Sequence, residues 1–175
     1  MGNGAFEQSY DLGGVRALII EDSDLMRDLL QEILRSFGTG HVVTTERAED
    51  ALELMENDDF DVVLSDWQLE SMDGLTFTQK VRHLSNDTTR RTPIIMCTGH
   101  SEKHHVISAR DAGVNQFLTK PVSAGELFDK LVSSVWDERP FVISEDYVGP
   151  KWSGAEVEKD KSKTSPSDIV DLDFL

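Results

Sequence analysis

The chain has 175 residues, which bounds it to one domain with some length to spare. Its apolar fraction of 38% and charged fraction of 29% are ordinary for a globular protein, but its formal net charge of -16 is not. Charge of that sign repels nucleic acid and anionic lipid, and no apolar run approaches the roughly 20 residues a membrane-spanning helix needs.

The first 14 residues, glycine-rich and without a period, read as a flexible leader. VRALII, residues 15–20, then has the length and flanks of a buried strand. From Asp24 the period changes. Met26, Leu29, Leu30, Ile33, Leu34 and Phe37 fall on one face of a helix, and Gly38 supplies its stop. HVVTT (41–45) predicts a second strand, and ERAEDALELMEN predicts a helix with Ala48, Leu52 and Met55 inward. FDVVLSD (60–66) and GLTFTQKVRHL (74–84) repeat the pair. PIIMCT (93–98) is a strand, followed by a weaker helix over 102–112. NQFLT (115–119) is the fifth strand, and the last helix starts at Ser123, where Ser-Ala-Gly-Glu forms a capping box. Strict alternation predicts an α/β fold, a parallel sheet with helices on both faces. Its ligand site then lies beyond the carboxyl ends of the strands.

The residues just past those ends carry the chemistry. Glu21 and Asp22 follow the first strand, Asp66 the third, Thr98 the fourth and Lys120 the fifth. If the first, third, fourth and fifth strands lie side by side, three carboxylates, a hydroxyl and an ammonium converge. Like charges at close range raise one another's pKa, and a hard divalent cation such as Mg²⁺ relieves the conflict. An aspartate can also be a nucleophile that forms an acyl phosphate. The set therefore points to phosphoryl transfer, with metal and lysine neutralising the phosphoryl oxygens.

IIED at 19–22, VVLSDWQLESMDG at 62–74, MCTG at 96–99 and FLTKP at 117–121 together resemble the receiver domain of two-component response regulators, over roughly residues 15–136. The resemblance implies a five-stranded, doubly wound, flavodoxin-like sheet. It implies that Asp66 is the phosphoacceptor, and that Mg²⁺ is held by Glu21, Asp22, Asp66 and the main-chain carbonyl of Gln68. It gives Lys120 a contact to the phosphoryl group and makes the Lys120–Pro121 bond cis. It makes Thr98 the switch hydroxyl and Phe117 the switch aromatic. Phe117 would report to the face formed by the fourth helix, fifth strand and fifth helix of the (βα)₅ fold. Leu69-Glu70 stands where many members have Met-Pro, a departure that bears on phosphoryl lifetime more than on acceptance.

The remaining motifs read more plainly. Asp73-Gly74 is a helix start and Glu70 a solvated acid. His104-His105 sits on a solvated helix, since adjacent positions face different directions. Cys97, the single cysteine, is packing; with no partner for a disulfide and no signal sequence, it points to a reducing cytoplasm. Residues 137–175 read as an acidic, largely disordered tail containing the charged tract KDKSKTSPSD. Two apolar patches, 140–152 and 169–175, are its expected docking segments.

The sequence thus predicts a single-domain response regulator that is not an enzyme in the ordinary sense. It takes a phosphoryl group from a histidine kinase or phosphotransfer protein and changes its affinity for a protein partner. A second copy docking through the switch face is one such partner, and nucleic acid is not. Two alternatives stand beside it. One is a pseudo-receiver that binds partners without phosphorylation. The other is a small-molecule phosphatase using Asp22, since Asp22-Ser23-Asp24 fits the Asp-x-Asp nucleophile pattern of the haloacid dehalogenase group.

Overall fold

β-branched and leucine-rich runs separated by amphipathic helices give an alternating chain, and burying both faces of every strand requires helices above and below one sheet. The computed structural model describes residues 10–99 and 103–152 and has this arrangement. Strands β1 (Arg16–Ile20), β2 (His41–Thr45), β3 (Val62–Asp66), β4 (Ile94–Thr98) and β5 (Gln116–Thr119) pair in parallel in the order β2-β1-β3-β4-β5. The connections are helices α1 (Asp24–Ser36), α2 (Ala48–Asn57), α3 (Gly74–Arg82), α4 (Asp87–Arg91) and α5 (Lys103–Ala112), with α6 (Ala124–Val135) closing the sheet. The chain steps from β1 outward to β2 and then back past β1 to β3, so the crevice lies at the carboxyl ends of β1 and β3.

One apolar layer joins Ile19, Leu64, Ile95 and Leu118 to Leu30, Leu34, Leu127 and Leu131 from α1 and α6. On the opposite face, Leu18, Ile20 and Val63 meet Ala48, Met55, Phe77 and Val81 from α2 and α3. Alternate residues of each strand therefore serve opposite layers. The starts of α1, α3 and α6 are side-chain capped as their sequences dictate. Ser23 accepts from Met26 N, Asp73 from Thr76 N and Ser123 from Glu126 N.

Three features depart from the sequence expectation. The short helix α4, capped by Asn86, occupies a stretch to which the sequence assigns no element, because five residues are too few to establish a helical period. With α4 inserted, the switch face expected from the resemblance is the α5–β5–α6 face here. The leader is not free along its whole length. Leu12 is buried in the core, its carbonyl accepts from Val15 N and Gly40 N, and Tyr10 packs on Trp136 with ring centroids 5.0 Å apart.

The third departure is larger. Residues 137–152, read as the start of a largely disordered tail, form an antiparallel hairpin of β6 (Phe141–Ile143) and β7 (Val148–Pro150) seated on the domain. The other parts of that expectation, the tract at 159–168, the segment 169–175 and the first nine residues of the leader, lie outside the described residues.

An isolated two-stranded hairpin is marginal in water, so tertiary contacts must hold this one. Gly113, at φ +93°, lets the hairpin backbone come close, and a Cβ at Gly149 would stand 2.7 Å from Gly113 Cα. Phe141 lies under the guanidinium groups of Arg82 and Arg91, at 5.4 and 4.9 Å. Arg139 donates to Asp137 Oδ2 at 2.7 Å and to the Asn115 carbonyl at 2.9 Å.

Burial pushes the Asp137 carboxyl up, but the Arg139 hydrogen bonds outweigh it and hold the group below its ordinary 3.8. A depressed carboxyl stabilises the fold above its unfolded pKa, and that contribution is lost as the pH falls through the folded one. Asp137→Asn should therefore cost roughly 1–2 kcal/mol at pH 7. Thermal melts of the variant and the parent should converge as the pH drops below 3.8.

Candidate functional site

The carboxyl ends of β1, β3, β4 and β5 meet at one edge, and the sheet register sets the positions there. Ile20 lies opposite Ser65, Asp66 opposite Cys97, and Thr98 opposite Thr119. Glu21 follows β1 directly, and its N–H donates to Thr45 O at 3.1 Å, continuing the ladder by one residue. Its side chain is only 1% exposed, and Asp66 is 8% exposed. Asp22, by contrast, faces solvent. Carboxylate oxygens from Glu21, Asp22 and Asp66 all lie within 4.8 Å of one another.

Lys120 enters this cluster from the end of β5. Its Nζ donates to Glu21 Oε2 at 2.9 Å and stands 3.1 Å from Asp66 Oδ1. Its main-chain N–H donates to Thr98 O at 2.8 Å, and the Lys120–Pro121 peptide is cis. Burial raises the Glu21 carboxyl above its ordinary value, and the nearby Asp66 charge adds to this against the opposing Lys120. Burial alone would lower the Lys120 ammonium, but its hydrogen bond to Glu21 and the charges of Asp66 and Glu21 outweigh that, so it is raised.

Three carboxylates face one ammonium, leaving an excess of negative charge in a partly dry pocket. The donors are all hard oxygens at close spacing, and a cationic ammonium already bridges two of them. This donor set fits a hard divalent cation, Mg²⁺ before Zn²⁺, because among the described residues the cluster consists of carboxylates alone. Thr98, 4% exposed, lies at the end of β4 in the same layer. Gln68 follows in the exposed β3–α3 loop, whose ends are tied by Trp67 N donating to Cys97 O and Gly74 N donating to Trp67 O, both at 2.9 Å. Glu70 is exposed, and the Asp73 cap is the helix start read from the sequence.

Phe117 is buried beside Met96, Ala109 and Val114, in a cluster that also takes Trp67, Leu75, Val106 and Trp152. His105 packs edge-on against Trp67 with ring centroids 4.8 Å apart and is half-buried. Burial pushes the Cys97 thiol up to about 12, which keeps it protonated and unreactive.

One contributor escaped the sequence reading. Arg27 donates to the Glu21 carbonyl at 2.7 Å and pairs with Asp24, fixing the turn that presents Glu21 and Asp22. Its only sequence signal is an Asp–Arg pair one turn apart in α1. Trp152, within the docking segment expected at 140–152, has its ring centroid 6.0 Å from that of Phe117.

Comparisons with known proteins bear on the family and the fold. The chain is 35% identical over 118 residues to the chemotaxis protein CheY1 of Helicobacter pylori, covering 67% of this chain and 94% of that protein. It is 29% identical over 117 residues to the chemotaxis protein CheY-3 of Vibrio cholerae, covering 67% and 88% respectively. Among solved structures, the receiver domain of a sensor histidine kinase from Pseudomonas aeruginosa, described with a magnesium ion coordinated in the active site cleft, superimposes with a TM-score of 0.63. That match has 28% identity and covers 70% of this chain and 98% of that one. The chemotaxis response regulator CheY4 of Vibrio cholerae gives a TM-score of 0.64 at 27% identity, over 69% of this chain and 98% of that one. Residues 17–132 match the response regulator receiver domain family, to which this chain therefore belongs.

Proposed function

We propose that the protein is a phosphorylation-controlled signalling module whose Asp66 accepts a phosphoryl group from a phosphohistidine of a histidine kinase or phosphotransfer protein. The observation that carries this reading is the Lys120 ammonium 3.1 Å from Asp66 Oδ1, within a trio of carboxylates. In the reaction an Asp66 oxygen forms a bond to phosphorus, the N–P bond of the donor breaks, and the imidazole leaves. Glu21, Asp22, Asp66 and the Gln68 carbonyl would hold Mg²⁺, which supplies charge neutralisation on the phosphoryl oxygens. Lys120 binds a phosphoryl oxygen, and the Thr98 hydroxyl takes another. Arg27 keeps the Glu21 turn in place. Turnover is confined to the protein's own phosphorylation and dephosphorylation.

The donor surface is supported by α1, which starts two residues after Asp22 and presents Leu25 at 82% exposure and Leu29 at 46%. Apolar groups one turn apart beside an acidic pocket suit the packed helices of a phosphodonor. Downstream partners, a second copy included, would meet the α5–β5–α6 face through Phe117. The buried thiol of Cys97 is consistent with a cytoplasmic setting.

Reduction of the phosphorylated protein with borohydride, followed by peptide mapping, tests the assignment. Homoserine at position 66 is the expected product of the acyl phosphate. Homoserine at position 22 would move the chemistry to Asp22 and favour a phosphatase-like reading. Mg²⁺ binding without any acyl phosphate from a cognate kinase would leave a phosphorylation-independent binding module.

A further inference from the structure

The C-terminal hairpin returns to the strand that ends in Lys120. We propose that Trp152 is a gate on the β5 edge, seated on Phe117 in the resting protein and released when Asp66 carries a phosphoryl group. The inference rests on the phosphoacceptor reading.

Three observations carry it. First, one apolar cluster spans the distance from the site to the gate. Trp67, adjacent to Asp66, and Trp152 both pack against the buried cluster of Met96, Ala109, Val114 and Phe117. Second, Phe117 lies on β5 three residues before Lys120, whose ammonium bridges Glu21 and Asp66 and whose N–H is tied to Thr98 O. A phosphoryl group on Asp66 offers stronger, more charged acceptors, so the ammonium must leave its present bridge. The cluster is then disturbed at Trp67 and at Phe117 together. Packed clusters answer such shifts by changing arrangement, not by stretching.

Third, the hairpin is anchored at several points that precede Trp152 in the chain. Arg139 is anchored to Asp137 and Asn115, Phe141 lies under two guanidinium groups, and Gly149 abuts Gly113. Trp152 comes after β7 and contacts Phe117 at a tilt of 37°. Its buried indole N–H has no hydrogen-bond partner among the described residues. The Arg139 guanidinium 4.8 Å over the indole favours the seated state. The unsatisfied N–H favours release into water. An element balanced in this way can be tipped by a small change in its seat. Release uncovers Phe117 on the α5–β5–α6 face, and the surface a partner needs becomes available only in the phosphorylated state.

The test uses the full chain carrying Trp67→Phe and Trp136→Phe, so that Trp152 is the remaining indole, treated with Mg²⁺ and acetyl phosphate. Intact mass reports the adduct in the same samples in which acrylamide quenching reports indole exposure. Quenching should rise at least twofold with the adduct. If the double variant does not fold, hydrogen exchange of the Trp152 indole N–H in the native chain reads the same event. Linkage supplies the reciprocal arm: Trp152→Ala should bind beryllofluoride with Mg²⁺ about fivefold or more tightly than the parent. A full adduct with unchanged indole exposure, or unchanged beryllofluoride affinity in Trp152→Ala, overturns the gate and leaves the phosphoacceptor reading standing. Absence of an adduct overturns both.

Discussion

Arg82→Met should lower stability by about 3–5 kcal/mol, the largest effect expected of any single change away from the acidic site. Arg82 is 1% exposed, and among the described residues its guanidinium forms no salt bridge with a carboxylate. Instead it donates to four oxygens: Gly113 O at 2.9 Å, Arg90 O at 2.7 Å, Thr92 O at 2.9 Å and Asn115 Oδ1 at 2.8 Å. These acceptors come from the end of α5, the end of α4, the entry to β4 and the entry to β5. Burial pushes the guanidinium down to about 9, so it is still charged at neutral pH, and the carbonyl dipoles are what make that charge tolerable. Methionine fills much of the volume but strands four acceptors. The guanidinium over Phe141 is lost as well, so the hairpin loosens. For a chain of this size the melting temperature should fall by on the order of 10 °C or more in a circular-dichroism melt. A change within about 1 kcal/mol would mean that the desolvation of the guanidinium nearly cancels its hydrogen bonds.

Asp22→Asn should weaken Mg²⁺ by at least roughly tenfold, about 1.4 kcal/mol or more, because it removes one of the three negative charges that the donor set presents. Phosphorylation by acetyl phosphate at limiting Mg²⁺ should slow in proportion. Asp22 is exposed, so the fold should not suffer. Removing a like charge from beside Glu21 and Asp66 should leave the metal-free protein as stable as the parent or slightly more stable. Isothermal titration with Mg²⁺, paired with a melt in chelator, separates the two effects. Weaker Mg²⁺ binding without loss of stability supports the proposed metal role, whereas unchanged Mg²⁺ affinity would remove Asp22 from the ligand set.

The sheet and the acidic edge were legible because both follow from local rules. A 3.6-residue period from Met26 to Phe37 specifies a buried helical face wherever the helix docks. A polar residue directly after an apolar run lands at the carboxyl edge of a parallel sheet, which is why Glu21, Asp66, Thr98 and Lys120 could be assigned to that edge from the sequence. Arg27 was not found because it acts on a main-chain carbonyl, and carbonyls leave no residue-type signature. The hairpin was missed for a different reason. Its strands have three residues each, below the length at which alternation can be read. What holds it is long-range: the Gly113–Gly149 approach, the cations over Phe141 and the Arg139–Asp137–Asn115 links. Phe141, Tyr147 and Trp152 were visible as a docking set, but the surface they dock on is supplied by the domain itself. Arg82 looked like one more basic residue at the end of α3, and only the closure of α4 and β5 around it makes it a core residue.

The most direct measurement of the central claim is the intact mass of the native chain and of Asp66→Asn after incubation with acetyl phosphate, with Mg²⁺ and with chelator. A single phosphate-sized adduct is expected on the native chain, dependent on Mg²⁺ and absent from Asp66→Asn. An adduct of the same size on Asp66→Asn, or one on the native chain that forms equally well in chelator, would contradict it.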